Sequence, residues 1–206
     1  MKYGVVSLGK IEALLNKIGG EEGMRRLLAG ELKVVPVGNV AVPVKKQGFL
    51  VRDGSFSSVD LTERFDPRKF YQTREGLYVW SDFTGRIVAV AKPTEAGRKF
   101  KKVSCWKLEK SSTGEMLKNV RPNDIWTATD FCAWLSAKLT KQPNGEEGEL
   151  LNNGWANLFL VEGASCAVFV VYVGWDSIDR KWLVHAWNLG YEWYAGHRFV
   201  SKPIAL

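Results

Sequence analysis

Histidine is nearly absent from this chain, with His185 and His197 the two in 206 residues. Cysteine is scarce as well: Cys105, Cys132 and Cys166 form an odd set at wide, irregular spacing. No pair has the CxxC or HxxxH spacing of a zinc site, so no metal is expected. The same irregular set is not a secreted disulfide framework. No glycine-rich phosphate loop is present, because GGEEG follows a helical pattern and lacks the lysine. No cofactor is expected. Long apolar runs are missing too. The longest, Ala164 to Trp175, is broken by Ser165 and Gly174 and is too short to span a bilayer. The opening MKYGVVSLGK lacks the apolar core of a signal peptide. These absences lead to the expectation of a cytoplasmic protein that does not engage a membrane.

What remains is an ordinary globular balance, 46% hydrophobic and 25% charged. The length suits one domain over 1–206, with 1–31 as a helical hairpin. In that hairpin Ser7 caps a helix near Leu8 to Ile18, Gly19 and Gly20 stop it, and a second helix runs from about Glu21 to Ala29. A DNA-reading helix-turn-helix has the same outline, but Glu21 and Glu22 stand where phosphates would be met. Short strands are expected at Leu32 to Val37, Gly48 to Arg52 and Leu77 to Trp80, with a turn at Asp53-Gly54. Ser81 caps a helix of about Asp82 to Ala91, Thr113 starts a short one, and TDFCAWLSAKLTK from Thr129 to Lys141 is the longest. The last third reads as an antiparallel meander: Trp155 to Val161, Cys166 to Val173, Lys181 to Asn188 and His197 to Ser201. The expected fold is therefore α+β, an N-terminal helical hairpin and further helices packed on a C-terminal antiparallel sheet of about four strands.

Charge is distributed unevenly. The formal net charge is +7, and the whole excess lies between Arg86 and Pro122, which holds ten basic and three acidic residues. Its centre is RKFKKVSCWKLEK, Arg98 to Lys110. Read as one strand, Lys99, Lys101, Val103, Cys105, Lys107 and Glu109 share a solvated face, while Phe100, Trp106 and Leu108 turn inward. Such a face attracts polyanions in a salt-dependent way, which makes nucleic acid or a nucleoprotein the leading partner through Arg98, Lys99, Lys101 and Lys107. The alternative is an edge strand guarded by lysine.

Two further readings concern chemistry and contact. Cys132 in the first turn of a helix, with His185 and Asn188 on a strand, weakly resembles the plan of papain-like cysteine hydrolases. That plan departs from the family in lacking a glycine-rich turn before the cysteine, and alternation places Asn188 on the face opposite His185. The nine tryptophans offer the other reading. Trp182, Val184 and Ala186 share one face of the third meander strand, and Leu183, His185 and Trp187 the other. A strand with tryptophan on both faces is covered on both sides or exposes one side to a protein partner.

The phrases IGGEEGMRRLLAGEL, FYQTREGLYVWSDF, NGWANLFLV and WYAGHRFVS together resemble small proteins of candidate-phylum bacteria of the Parcubacteria kind. That resemblance implies a bacterial cytosolic protein. It carries no known activity, so it transfers no functional residue.

Overall fold

A computed structural model describes residues 20–29 and 48–203 of the chain. Two units, 1–45 and 46–206, separate by their internal contacts. In the first, α1 (Gly20–Leu28) carries Glu21 and Glu22 in its first turn and Arg25 and Arg26 in its last, as the helix dipole favours. The expected helix at Leu8 to Ile18 and the strand at Leu32 to Val37 lie outside the described residues.

The second unit is built on a mixed sheet of eight strands. Its order is β1 (Leu50–Phe56), β5 (Val103–Leu108), β12 (Arg198–Val200), β8 (Asn157–Glu162), β9 (Val168–Asp176), β10 (Lys181–Trp187) and β3 (Leu77–Val79). The eighth strand, β7 (Ile125–Thr127), pairs parallel with the C-terminal half of β8, while β12 pairs parallel with its N-terminal half. Two small ribbons complete the sheet structure: β2 (Val59–Asp60) with β4 (Lys99–Phe100), and β6 (Ser112–Thr113) with β11 (Glu192–Trp193).

This corrects the expected fold. The antiparallel run from β8 through β9 to β10 is present. The sheet, however, is twice the expected width and is mixed. Its fourth expected strand, β12, does not extend the meander but crosses to the far side of β8. The helices that cover the sheet are not an N-terminal set. They alternate with strands: α2 (Pro67–Phe70), α3 (Ser81–Phe83) running into a π-helical turn at Thr84–Val88, α4 (Gly114–Val120) and α5 (Ala128–Lys141). The chain is mixed α/β.

Local chemistry explains the helix starts. Asp66 accepts a hydrogen bond from the Arg68 N–H at 3.0 Å, with Pro67 at the first helical position. Thr113 Oγ1 accepts from the Met116 N–H at 3.3 Å, and Thr127 Oγ1 from the Asp130 N–H at 3.1 Å. The Asp53-Gly54 turn signal marks a bulge instead. The register of β1 against β5 slips between Arg52 and Gly54, and Gly54 takes φ 111°.

Each face of the sheet buries its own core. On one face, α2, α3 and α5, with Phe131 and Trp134 of α5, cover Trp126, Phe159, Val171, Val173, Trp182 and Val184. Phe131 and Phe159 meet edge to face at 5.0 Å, and Trp126 and Trp134 meet at a tilt at 5.3 Å. On the other face, Leu117 of α4 packs with Leu108, Leu158, Leu160, Val170, Trp193 and Phe199. A polar clamp ties β1 to the loop after α5. The Lys138 ammonium, 1% exposed, donates to Glu149 at 2.5 Å and to Ser57 Oγ at 3.1 Å. Ser57 donates its N–H and its hydroxyl to the same carboxylate.

Candidate functional site

Strand β10 alternates as its sequence requires. Trp182, Val184 and Ala186 enter the core under α5, and Leu183, His185 and Trp187 point to the opposite face. There β9 sets Tyr172 beside His185 and Gly174 beside Leu183. Helix α4 covers the middle of this face but leaves the end at β9, β10 and β3 part-open. Tyr172, Leu183 and Trp187 are half-buried, and Trp80 and Tyr191 are each 43% exposed. The result is a cleft of about 250 Å³ lined by Trp80, Tyr172, Leu183, His185, Trp187, Tyr191 and Trp193.

The walls are stacked rings. His185 stacks on Trp187 with centroids 4.3 Å apart, and Trp187 meets Tyr191 at 4.2 Å. Tyr191 meets Trp193 at 4.8 Å, and Trp80 meets His185 edge-on at 5.1 Å. The Tyr172 ring lies back over Gly174, where an added Cβ would stand 2.5 Å from the Tyr172 Oη. Glycine at 174 therefore leaves room for the ring.

Charge sits at the mouth. Strand β3 pairs with β10 through Val184, and Trp80 extends it with a bond to the Val184 carbonyl at 3.1 Å. Past that point Arg86 takes over the strand edge, donating to the Ala186 carbonyl at 2.8 Å and to Asn188 Oδ1 at 3.4 Å. Arg86 comes from the π-helical turn, a distortion frequent at functional sites. One turn earlier, Asp82 Oδ2 stands 3.4 Å from His185 Nε2 and Asp82 Oδ1 stands 3.8 Å from Arg86. Burial lowers the His185 pKa and outweighs the pull of Asp82, with Arg86 adding to the lowering. His185 is therefore neutral at pH 7. Burial also lowers the pKa of His197, whose Nδ1 accepts the Ala156 N–H at 3.0 Å.

The structure does not bring Cys132 and His185 together. Cys132 lies on α5, fully buried against the core of one face, and His185 projects from the other face of the sheet. Burial raises the thiol pKa of Cys132 far above its ordinary value, the reverse of an activated nucleophile. Asn188, exposed at the end of β10, bonds Arg86.

The basic segment is also rearranged. It is two strands, β4 and β5, broken at Lys101 and Lys102. Val103 and Cys105, expected on the solvated face, are buried in one core, while Leu108 is buried in the other. Strand β5 lies between β1 and β12, so it is not an edge. Three of the expected contact residues face carboxylates: Arg98 meets Asp130 at 2.7 Å, Lys99 meets Asp60 at 3.2 Å and Lys107 meets Glu109 at 3.6 Å. Arg98, Lys99, Lys101 and Lys102 are all exposed, along β4 and the link from it to β5.

Sequence reasoning missed Trp80, Asp82, Arg86, Tyr172 and Tyr191 as parts of one site. The only local signal was a strand bearing tryptophan on both faces. Among the described residues no group of three His, Cys, Asp or Glu side chains is arranged to hold a metal, and no helix is long and apolar enough to cross a membrane. Compared with known proteins, the chain matches no family model, no curated protein sequence and no solved structure.

Proposed function

We propose that this protein is a non-enzymatic binding module of the bacterial cytoplasm that receives a group of its partner in the aromatic cleft. The observation that carries this reading is the cleft itself: five Trp or Tyr rings around one cavity, two of them 43% exposed. Aromatic side chains give large contact area at low entropic cost, and a concave, mainly apolar site with a few polar groups at its mouth is the general form of a ligand site. Tryptophan fluorescence tests it. Small cationic, neutral and anionic probes are titrated into the wild type and into Trp80→Ala, Tyr191→Ala and Trp155→Ala. Binding that is lost in the first two variants and kept in the third supports the cleft. Trp155 is 41% exposed but does not line the cavity. Binding unaffected by Trp80→Ala and Tyr191→Ala contradicts it.

A second reading rests on the four exposed cations of the Arg98–Lys102 segment. They support capture of a polyanion such as nucleic acid, with affinity falling steeply as salt rises. Fluorescence anisotropy with labelled single-stranded and duplex nucleic acid at low and physiological salt tests this. Binding that is abolished in Lys99→Glu/Lys101→Glu/Lys102→Glu favours the reading. No binding at low salt removes it.

A further inference from the structure

The lining of the cleft constrains what it can hold. Five of its seven residues are Trp or Tyr, and none is one of the ten phenylalanines of the chain. Trp faces attract cations most strongly, with Tyr and Phe behind. Apart from neutral His185, no ionisable side chain other than tyrosine lines the cavity. A primary ammonium carries three N–H donors that need acceptors, and the ring faces offer few. A quaternary ammonium has no N–H to satisfy and is fully served by ring faces. The volume, about 250 Å³, falls below the roughly 300 Å³ at which drug-sized pockets begin, so it suits a head group and not a whole cofactor.

The charges around the mouth agree. Asp82 stands beside His185. Glu192 is exposed between Tyr191 and Trp193 in the chain. The nearby cations are engaged: Arg86 with the Ala186 carbonyl and Asp82, Lys181 with Asp179 at 2.6 Å. This end of the sheet already holds one cation on a ring, since Lys181 Nζ lies 5.3 Å from the Tyr78 centroid.

We infer that the aromatic cleft binds a quaternary ammonium group, held by the rings of Trp80 and Tyr191 with Asp82 as the neighbouring anion. This rests on the reading of the cleft as the binding site and names the chemistry it takes. The test compares choline with 3,3-dimethylbutan-1-ol, its uncharged isostere, by calorimetry and by amide NMR on the full chain. A short peptide carrying trimethyllysine is a third arm. Choline is expected to bind roughly tenfold or more tightly than the isostere, because only the charge differs. Trp80→Ala and Tyr191→Ala are expected to abolish this preference, and Asp82→Asn to reduce it while leaving the fold intact. Tighter binding of the peptide than of choline assigns the group to a protein side chain; the reverse assigns it to a small molecule. Equal binding of choline and the isostere overturns the inference and leaves the cleft as an apolar site. Binding of neither, with another probe still perturbing cleft residues, overturns the inference alone. If no probe perturbs them, the inference and the reading beneath it fall together.

Discussion

Asp82 Oδ2 and His185 Nε2 stand 3.4 Å apart at the mouth of the aromatic cleft, yet His185 remains neutral because its burial outweighs the carboxylate. That balance has a measurable consequence. Both histidines have pKa values below the ordinary one in the folded protein, so the unfolded chain binds more protons below about pH 6.5. The contribution of each histidine is complete above that pH and is lost as the pH falls towards its folded pKa and beyond. Urea unfolding at pH 7.5 and 5.5 is expected to show lower stability at 5.5. His185→Gln and His197→Gln are each expected to flatten part of the difference. Unchanged stability over this window contradicts the assignment.

Gly174 is expected to resist substitution. An alanine Cβ there would meet the Tyr172 ring, 2.5 Å from its Oη and within 2.8 Å of two ring carbons. Gly174→Ala must displace that ring, at a cost of up to about 1–3 kcal/mol of the kind seen on overpacking. Denaturant unfolding measures the cost. Ligand titration is expected to show an altered site. In Gly174→Ala/Tyr172→Ala the clash is gone, and the total cost should be less than the sum of the two single costs.

The Lys138–Glu149 clamp should behave as a coupled pair. Lys138→Met leaves Glu149 without its cation. Breaking a fully buried pair costs about 3–5 kcal/mol, and less is expected here because Glu149 is 33% exposed. The double variant Lys138→Met/Glu149→Gln is expected to be more stable than Lys138→Met alone. Burial by itself would raise the Glu149 carboxyl pKa, but Lys138 and Ser57 together hold it below the ordinary value. Its contribution is therefore present above about pH 4.3 and lost as the pH falls through the lower folded value. Thermal melts at pH 7 and pH 3 of wild type and Glu149→Gln test this.

Thiol chemistry separates the three cysteines. Cys166 is exposed and Cys105 and Cys132 are buried. One thiol per chain is expected to react quickly with a maleimide in the native state, and to disappear in Cys166→Ser. Fast modification of Cys132 in the folded protein would revive a cysteine-based chemistry.

The sequence made some of this legible and hid the rest for identifiable reasons. The run from β8 to β10 and the long helix α5 follow from uninterrupted apolar patterns, where burial dictates the period. The width of the sheet did not. Strands β3 and β12 were expected as short strands, but their places in the sheet are set by pairing between distant segments, and the three-residue β7 gave no local signal. In β1 a dipeptide that elsewhere makes a turn makes a bulge. In the basic segment the pause at Lys101 and Lys102 resets the alternation, so Val103 and Cys105 change from expected surface to core. The cleft was legible only in β10. Its partners Trp80, Asp82 and Arg86 lie about a hundred residues away in the chain and join it because β3 pairs with β10.

The most direct test of the cleft as a quaternary-ammonium site is ¹⁹F NMR of the chain labelled with 5-fluorotryptophan, titrated with choline. Nine signals are expected, assigned by single Trp→Phe variants. The account requires Trp80, Trp187 and Trp193 to shift together and saturably, with buried Trp126, Trp134 and Trp182 unmoved. Shifts confined to other tryptophans, or no shift at any of the three, would contradict it.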